Sequence, residues 1–150
     1  MVDRCYWDSD CFLGWLQEEP DKVGKCDDIL MLAERGQVEI VTSALTLAEV
    51  LMLRPRDALP ETRRARVEGL FAKSFIHTMP VTRRVGESAR DLVWDHGIRP
   101  KDAIHVVSAL AAKVRVLNTF DAGLISKSRS IGTPPLIIEQ PTVIEPGLGL

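Results

Sequence analysis

The sequence predicts an α/β domain in which a parallel sheet of about five strands is covered by helices. Short β-branched segments alternate with stretches of helical periodicity, and this alternation is typical of parallel strands joined by crossover helices. The chain has 150 residues, which is the size of one domain, and it contains no internal repeat. We therefore expect a single folded unit with one sheet.

Five short segments have the composition of buried strands. They are residues 5–7, 38–41, 75–79, 114–117 and 136–138. Asp8 follows the first strand directly, so its side chain should lie at the carboxyl edge of the sheet. The segment from Gly132 to Pro135 is predicted to be a turn before the last strand.

Helical segments are predicted between these strands. The first begins after Asp8, the second ends before Gly36, and the third follows a cap at Thr42 or Ser43. Two more cover residues 67–74 and 82–95, and the sixth begins at Pro100. In the third of these helices the spacing directs Leu45, Ala48 and Met52 to the core and leaves Glu49 beside them. Burying an unpaired carboxylate is costly, so Glu49 needs a partner or a function.

Two carboxylates stand at the ends of a helix and strand unit in residues 99–121. Pro100 suits the first turn of a helix, and Asp102 lies within that turn. The apolar stripe that follows has helical spacing and consists of Ala103, Val106, Val107, Leu110 and Val114. Asp121 comes just after the next strand, at the sheet edge where ligands bind in α/β folds.

Four acids are therefore expected to converge on one pocket: Asp8, Glu49, Asp102 and Asp121. Clustered carboxylates repel one another unless they are protonated or neutralised, and Mg²⁺ or Mn²⁺ with oxygen ligands is a common solution. This pattern predicts a metal-dependent phosphoryl-transfer site. The alternative is that the acids only cap helices, as Asp102 could do near a helix N-terminus.

Overall charge and cysteine content argue against some classes of protein and site. The formal net charge of −2 argues against a cationic field over the whole chain. Five arginines nevertheless fall within thirteen residues, and they indicate either a solvated helix face or a surface that contacts phosphates. They are Arg54, Arg56, Arg63, Arg64 and Arg66. The three cysteines Cys5, Cys11 and Cys26 fit neither a disulfide framework nor a zinc site, and we expect them to be reduced and packed.

The sequence gives no indication of membrane association. The first ten residues, MVDRCYWDSD, carry acids where a signal peptide would have a basic and then an apolar segment. No apolar run approaches the roughly 18 residues of a membrane span. We expect a cytoplasmic protein.

Four segments resemble the acidic blocks of the PIN-domain ribonucleases, in that family's order and at about its spacing. They are YWDSDCFLGWL, SALTLAEVL, RPKDAIHVVSAL and VLNTFDAGLI, and the resemblance covers residues 4 to 138. It implies a three-layer PIN-like nuclease domain at residues 1–139, with residues 140–150 as a tail or arm. It also implies that Asp8, Glu49, Asp102 and Asp121 are catalytic and hold Mg²⁺ or Mn²⁺.

Further expectations follow from the same resemblance. Thr119 matches a hydroxyl that commonly precedes the last acid by two residues, and Ser43 and Arg99 are expected to contact substrate with it. The implied reaction is hydrolysis of RNA phosphodiesters by metal-activated water. Many bacterial members of this size are VapC-type toxins, so a small antitoxin and a homodimer are implied as partners. The apolar tail residues Val143, Ile144 and Leu148 would suit such contacts.

Two departures from the family pattern leave alternatives open. Asp10 is an additional carboxylate near Asp8, and Phe120 stands where a small or polar residue is frequent. The segment WDSDCF also fits the D-x-D motif of haloacid-dehalogenase-like phosphatases, with Asp8 as nucleophile and Asp10 as acid or base. That family needs a lysine at the sheet edge, and Lys101 is expected to face another direction.

A non-catalytic protein is the third possibility. A receiver-like domain would need an aspartate after the third strand, where residues 75–79 are followed by Pro80 instead. A PIN fold that only binds RNA or a partner remains open. His105 lies one turn after Asp102, and the pattern favours a satisfied core histidine over one that binds phosphate or shuttles a proton. Trp7, Trp15 and Trp94 are scattered along the chain and are expected in the core.

Overall fold

Strands and helices alternate along the chain in the computed structural model, which describes residues 2–50 and 63–143. The strands are β1 (Asp3–Trp7), β2 (Val38–Ser43), β3 (Ile76–Met79), β4 (Val116–Asn118) and β5 (Ile137–Glu139). The helices are α1 (Ser9–Leu16), α2 (Val23–Glu34), α3 (Ala44–Glu49), α4 (Arg64–Phe71), α5 (Arg83–His96), α6 (Pro100–Ala111) and α7 (Ala122–Ile125). Each strand lies within two residues of its predicted position at either end.

The five strands form one parallel sheet in the order β3-β2-β1-β4-β5. Tyr6 of β1 is in register with Val41 of β2 on one side and with Leu117 of β4 on the other. The chain first builds outward from β1 to β3 and then crosses to the other side of β1 to form β4. Ligands bind in α/β folds at such a reversal of strand order, beyond the carboxyl ends of the strands.

Helices cover both faces of the sheet, and alternate residues of β1 show why. Cys5 and Trp7 belong to a first core, which lies under α1, α2 and α4, whereas Tyr6 belongs to a second core, which lies under α5 and α6. Successive side chains of a strand point to opposite faces, so one central strand contributes to both cores. The predicted α/β fold class and its three layers are confirmed.

Two helices are followed by a glycine, and the sequence predicts this at Gly36. Gly36 and Gly97 follow α2 and α5 with φ of +75° and +64°, a left-handed conformation that glycine adopts without steric cost. Pro100 occupies the first turn of α6. At α3, Ser43 is the cap, and its side-chain oxygen accepts a hydrogen bond from the Leu45 backbone N–H at 3.0 Å.

The inward face of α3 differs from the predicted one. Ala48 is exposed and Leu45 is only half-buried, whereas Thr46 and Glu49 are buried. Periodicity failed here because polar contacts set the orientation of this six-residue helix: the Thr46 hydroxyl bonds that of Thr42 at 2.7 Å, and Glu49 pairs with side chains of other elements. Met52, the third predicted core residue, lies outside the described residues.

The described arginines of the basic cluster have protein partners. Arg63 and Arg66 donate hydrogen bonds from Nη1 to the Leu16 carbonyl oxygen at the end of α1, at 2.6 Å and 3.4 Å. Arg64 pairs with Glu68 at 2.9 Å. These contacts favour a structural role for the cluster, because cations at the C-terminus of a helix offset its partial negative charge. Arg54 and Arg56 lie outside the described residues.

The tryptophans differ in burial, and the prediction for Trp94 was wrong. Trp7 is fully buried and Trp15 packs against the first core, but Trp94 is 74% exposed. It lies on the solvent face of α5, where Arg90 stacks over its ring at 5.4 Å. Ala89 is the buried residue of this helix, so the apolar stripe of α5 does not include Trp94.

The cysteines and the start of the tail also have defined environments. Cys5, Cys11 and Cys26 are buried and free, as predicted. Burial raises the pKa of the Cys5 thiol to about 12, so it stays protonated. Val143 packs against the first core and is not the free apolar residue that the sequence suggested, while Ile144 and Leu148 lie outside the described residues. No helix in the part of the chain that the structure describes is long and apolar enough to cross a membrane.

Candidate active site

A pocket of about 690 Å³ opens where β1 and β4 end, and the structure brings all four predicted acids to it. A fifth carboxylate, Asp10, also lines this pocket. The carboxylates are Asp8, Asp10, Glu49, Asp102 and Asp121, and the cationic side chains are Lys22, Arg99 and Lys101. The pocket therefore holds more potential negative than positive charge, and the protein must protonate some of these acids or neutralise them with a cation.

Asp8 forms the floor of the pocket. It follows β1 directly, is 3% exposed, and caps α1 by accepting a hydrogen bond from the Cys11 backbone N–H at 3.3 Å. Its own N–H donates to the Asn118 carbonyl oxygen at 3.3 Å, which ties it to the end of β4. Burial, and then the nearby Asp10 charge, raise the pKa of Asp8 to about 7.

Glu49 lies at the end of α3 and is 9% exposed. Its Oε1 accepts a hydrogen bond from the Ser9 hydroxyl at 2.6 Å and contacts His105 Nε2 at 3.0 Å. Burial acts to raise the pKa of Glu49, but the hydrogen bonds from His105 and Ser9 outweigh it, and the pKa lies below its ordinary value. The cost of burying this carboxylate is thus offset by partners from α1 and α6.

His105 connects Glu49 to the sheet. It is 2% exposed, and its Nδ1 contacts the Tyr6 hydroxyl of β1 at 2.7 Å. This agrees with the prediction of a satisfied core histidine, yet the same side chain also lines the pocket. Sequence reasoning missed Tyr6, because its partner is 99 residues away and periodicity relates residues only within an element. We call Asp8, Ser9, Glu49 and His105 the buried wall of the site.

The more exposed part of the pocket consists of Arg99, Asp102 and Asp121, which we call the rim. The Arg99 guanidinium bridges the two acids: Nη2 lies 2.7 Å from Asp121 Oδ2 and 3.0 Å from Asp102 Oδ2. The arginine side chain is 74% exposed, and those of Asp102 and Asp121 are 19% and 26% exposed. The Asp102 and Asp121 charges also raise the pKa of Arg99, so the bridge remains charged.

Three further side chains affect the charge and access of the pocket. Burial raises the pKa of Asp10, although the Lys22 charge partly offsets it. Lys101 lines the pocket, contrary to the expectation that it faces another direction, and its charge contributes to the lowered pKa of Glu49. Phe120 forms part of the pocket lining, and the Lys22 ammonium lies 5.4 Å from the centre of its ring.

Two of the predicted substrate contacts do not lie on the pocket lining. Ser43 and Thr119 are both fully buried. Ser43 caps α3, and the Thr119 hydroxyl accepts a hydrogen bond from the Asp121 backbone N–H at 3.1 Å. The Ser43 hydroxyl therefore supports the start of α3, which carries Glu49, and the Thr119 hydroxyl supports the turn that carries Asp121.

The donor chemistry of the pocket suits a hard divalent cation, because carboxylate oxygens are the ligands that Mg²⁺ and Mn²⁺ prefer. Within residues 2–50 and 63–143, however, no three acidic, histidine or cysteine side chains are grouped so that they could hold a metal ion. Arg99 pairs with both Asp102 and Asp121, and Ser9 and His105 both bond Oε1 of Glu49. A metal in this pocket must compete with Arg99.

Solved structures with the same fold include VapC toxins. VapC20 from Mycobacterium tuberculosis, described as a toxin that cleaves the sarcin-ricin loop, is 14% identical, with a TM-score of 0.67 over 81% of this chain and 93% of VapC20. VapBC2 from Rickettsia felis, bound to a promoter DNA fragment, is 18% identical, with a TM-score of 0.63 over 91% of this chain and 98% of the other. FitAB bound to DNA is 17% identical, with a TM-score of 0.60 over 95% and 99%. At these identities the likeness concerns the fold.

Sequence comparison identifies the family. A comparison with curated proteins finds no match. The model of the PIN domain matches residues 5–129, which is well over half of the chain and contains all four predicted acids. The chain therefore belongs to the PIN-domain family.

Proposed function

We propose that this protein is a metal-dependent endoribonuclease that hydrolyses RNA phosphodiester bonds. The observation that carries the proposal is the convergence of Asp8, Glu49, Asp102 and Asp121 on one pocket of a PIN domain. A pocket with more carboxylates than cationic side chains attracts divalent cations, and a phosphodiester cannot approach it closely until that charge is neutralised.

In this proposal the four acids hold Mg²⁺ or Mn²⁺. A cation held there would supply Lewis acidity, which would favour ionisation of the attacking water and stabilise the charge that develops on the phosphate. The chain itself supplies the positioning of the substrate. Arg99 and Lys101, which line the pocket, would bind RNA phosphates, and Arg99 would then exchange its contacts with the acids for contacts with RNA.

An RNA cleavage assay tests this proposal. Purified wild type, Asp102→Asn and Asp28→Asn are incubated with a mixed RNA in Mg²⁺, in Mn²⁺ and in EDTA. Asp28 is an exposed acid on α2 that does not line the pocket, so its variant controls for the loss of one negative charge. We expect wild type and Asp28→Asn to cleave only with metal, and Asp102→Asn not to cleave. Equal cleavage by Asp102→Asn, or cleavage in EDTA, would contradict the proposal.

One observation favours a second candidate, a PIN fold that binds RNA without cutting it. No three acids of the described chain are already grouped to hold a metal, and Arg99 occupies two of them. This candidate predicts that RNA is retained in a filter-binding assay and stays intact in Mg²⁺ and Mn²⁺. The family match is to the PIN domain and gives no support to the phosphatase alternative.

We further propose that the enzyme is the toxin of a toxin-antitoxin pair. The support is that structures of its fold include VapC20, described as a toxin, and the VapBC2 and FitAB assemblies. A homodimer and a small antitoxin are the partners that this proposal implies. Light scattering of the protein, alone and coexpressed with the product of a small adjacent reading frame, tests it. A monomer at high concentration that retains no such product would contradict both partners.

A further inference from the structure

A buried chain of hydrogen bonds runs from the sheet to the pocket. Tyr6 of β1 contacts His105 Nδ1 at 2.7 Å, and His105 Nε2 lies 3.0 Å from Glu49 Oε1. Tyr6 is fully buried, and His105 and Glu49 are 2% and 9% exposed. These side chains link three elements, β1, α6 and α3. No backbone hydrogen bond joins α3 to β1 or α6 among the described residues.

The partners fix where the protons lie. An ionised carboxylate only accepts hydrogen bonds, so the Nε2 atom that faces Glu49 must carry a proton. Burial raises the pKa of the Tyr6 phenol well above its ordinary value, so the phenol keeps its own proton and can donate it to Nδ1. The chain then has one direction: Tyr6 O–H donates to Nδ1, and Nε2–H donates to Glu49. Both ring nitrogens are used, and neither is free for a substrate.

The hydrogen bonds of Glu49 leave one of its oxygens available. Those from Ser9 and His105 both end on Oε1. No described residue donates a hydrogen bond to Oε2. A carboxylate fixed through one oxygen cannot rotate freely, so Oε2 is held in one orientation on a side chain that lines the pocket.

We propose that His105, oriented by Tyr6, is a positioning residue that holds the Glu49 carboxylate so that Oε2 can bind a divalent cation. This inference rests on the proposed function, because it assumes that the pocket binds metal. It goes beyond the four acids by assigning roles to Tyr6 and His105, which would touch neither metal nor RNA. Groups that orient a metal ligand typically change metal affinity 10- to 100-fold when they are removed.

Two variants of His105 separate positioning from packing. The amide of a glutamine reaches the place of Nε2 and can still donate to Glu49, whereas that of an asparagine reaches only the place of Nδ1 and cannot. We expect His105→Asn to weaken Mn²⁺ binding about 10- to 100-fold in a calorimetric titration, and His105→Gln to bind within a few-fold of wild type. Thermal unfolding of each variant verifies that it is folded. Adding Glu49→Gln to His105→Asn should cause little further loss, because the two groups act as one unit.

Nitrogen NMR of the His105 ring provides a readout that does not depend on metal. We expect a proton on Nε2 and an Nδ1 that accepts a hydrogen bond, and we expect Tyr6→Phe to shift the Nδ1 resonance while Nε2 stays protonated. A ring protonated only at Nδ1 would overturn the inference, as would Mn²⁺ binding by His105→Asn that equals wild type. If wild type itself binds no Mn²⁺, the proposed function fails, and this inference fails with it. Tight binding by wild type and His105→Asn alike overturns the inference alone.

Discussion

The two sides of the pocket hold their acids in different ways. On the buried wall, Asp8 and Glu49 are almost inaccessible, and their partners are the Cys11 backbone N–H, the Ser9 hydroxyl and His105. On the rim, Asp102 and Asp121 are partly exposed and share the guanidinium of Arg99. The wall is held by short-range hydrogen bonds between buried groups, and the rim by ion pairs in contact with water.

The wall acids are therefore held in a fixed arrangement, whereas the rim acids can exchange Arg99 for another cation. The geometry of the buried wall is fixed by three elements of the fold, so its acids change position little and carry a cost in stability. Exposed ion pairs contribute at most about 1 kcal/mol, so the rim acids can leave Arg99 for another cation at little cost. We infer that the wall defines where a cation binds and that the rim regulates how tightly.

The largest effect on cleavage is expected at Asp8 of the buried wall. Asp8→Asn keeps an oxygen that can accept from Cys11 N–H but removes the buried charge, so cleavage should fall by more than about 100-fold. The same variant should be more stable than wild type in EDTA at pH 8, because no carboxylate is left ionised in that environment. Urea unfolding and RNA cleavage measure the two effects. An Asp8→Asn variant that is active, or that is less stable at pH 8, would contradict this account of the wall.

The free energy of unfolding in metal-free buffer should depend on pH because Asp8 is buried. The pKa of Asp8 is about 7 in the folded protein and near its ordinary 3.8 when unfolded, so between these values the folded state binds a proton that the unfolded state lacks. Stability should therefore fall by roughly 4 kcal/mol as pH rises from 4 to 8 and then level off. The raised pKa of Asp10 acts in the same direction.

The pKa of Glu49 makes stability depend on pH in the opposite direction. Its pKa is lowered in the folded state, so its contribution is present above its ordinary 4.5 and is lost as pH falls through the lowered pKa. Urea unfolding between pH 4 and 8 in EDTA measures the sum, and Asp8→Asn should remove most of the slope above pH 5. A stability that rises from pH 5 to 7 in wild type would contradict the environment assigned to Asp8.

A moderate effect is expected at Ser9. Its hydroxyl donates to Glu49 Oε1 at 2.6 Å, and alanine removes this donor from a buried carboxylate. Ser9→Ala should lower the free energy of unfolding by about 1 to 3 kcal/mol at neutral pH, as measured by urea unfolding. Ser88→Ala, at an exposed serine of α5, is the matched control and should change little. Equal stability of the two variants would show that the wall does not depend on this bond.

The smallest effect on stability is expected at the rim. Arg99→Gln removes an exposed side chain and should change unfolding by less than about 1 kcal/mol. It also removes the cation that occupies Asp102 and Asp121, so Mn²⁺ affinity should rise by about fivefold, while KM for RNA increases because a phosphate contact is lost. Arg84→Gln, at an exposed arginine outside this pocket, is the control. Weaker Mn²⁺ binding by Arg99→Gln would mean that the arginine supports the metal site.

Sequence reasoning predicted most of the fold and the convergence of the acids. The apolar segments marked five strands, and the rule that ligands bind beyond the carboxyl ends of parallel strands placed Asp8 and Asp121 together. The Asp102 position followed from Pro100, which marks a first helical turn. These features are local in sequence or follow from the topology of parallel sheets.

The contacts that distinguish wall from rim could not be predicted in this way. Tyr6 and His105 are 99 residues apart, and Arg99 and Asp121 are 22 apart, so their pairing depends on the packing of separate elements. The error at Trp94 has another cause: it was expected in the core because the tryptophans are scattered along the chain, although it lies off the apolar stripe of α5 that contains Ala89. For Ser43 and Thr119 the family resemblance implied a substrate contact, but both side chains are fully buried and bond the backbone of their own turns.

We propose that the acids of the wall and the rim together bind a divalent cation. A calorimetric titration of Mn²⁺ into wild type, Asp102→Asn and the control Asp28→Asn tests it most directly. We expect saturable binding to wild type and Asp28→Asn, and binding at least about tenfold weaker to Asp102→Asn. Absence of binding to wild type, or equal affinity of all three proteins, would contradict it.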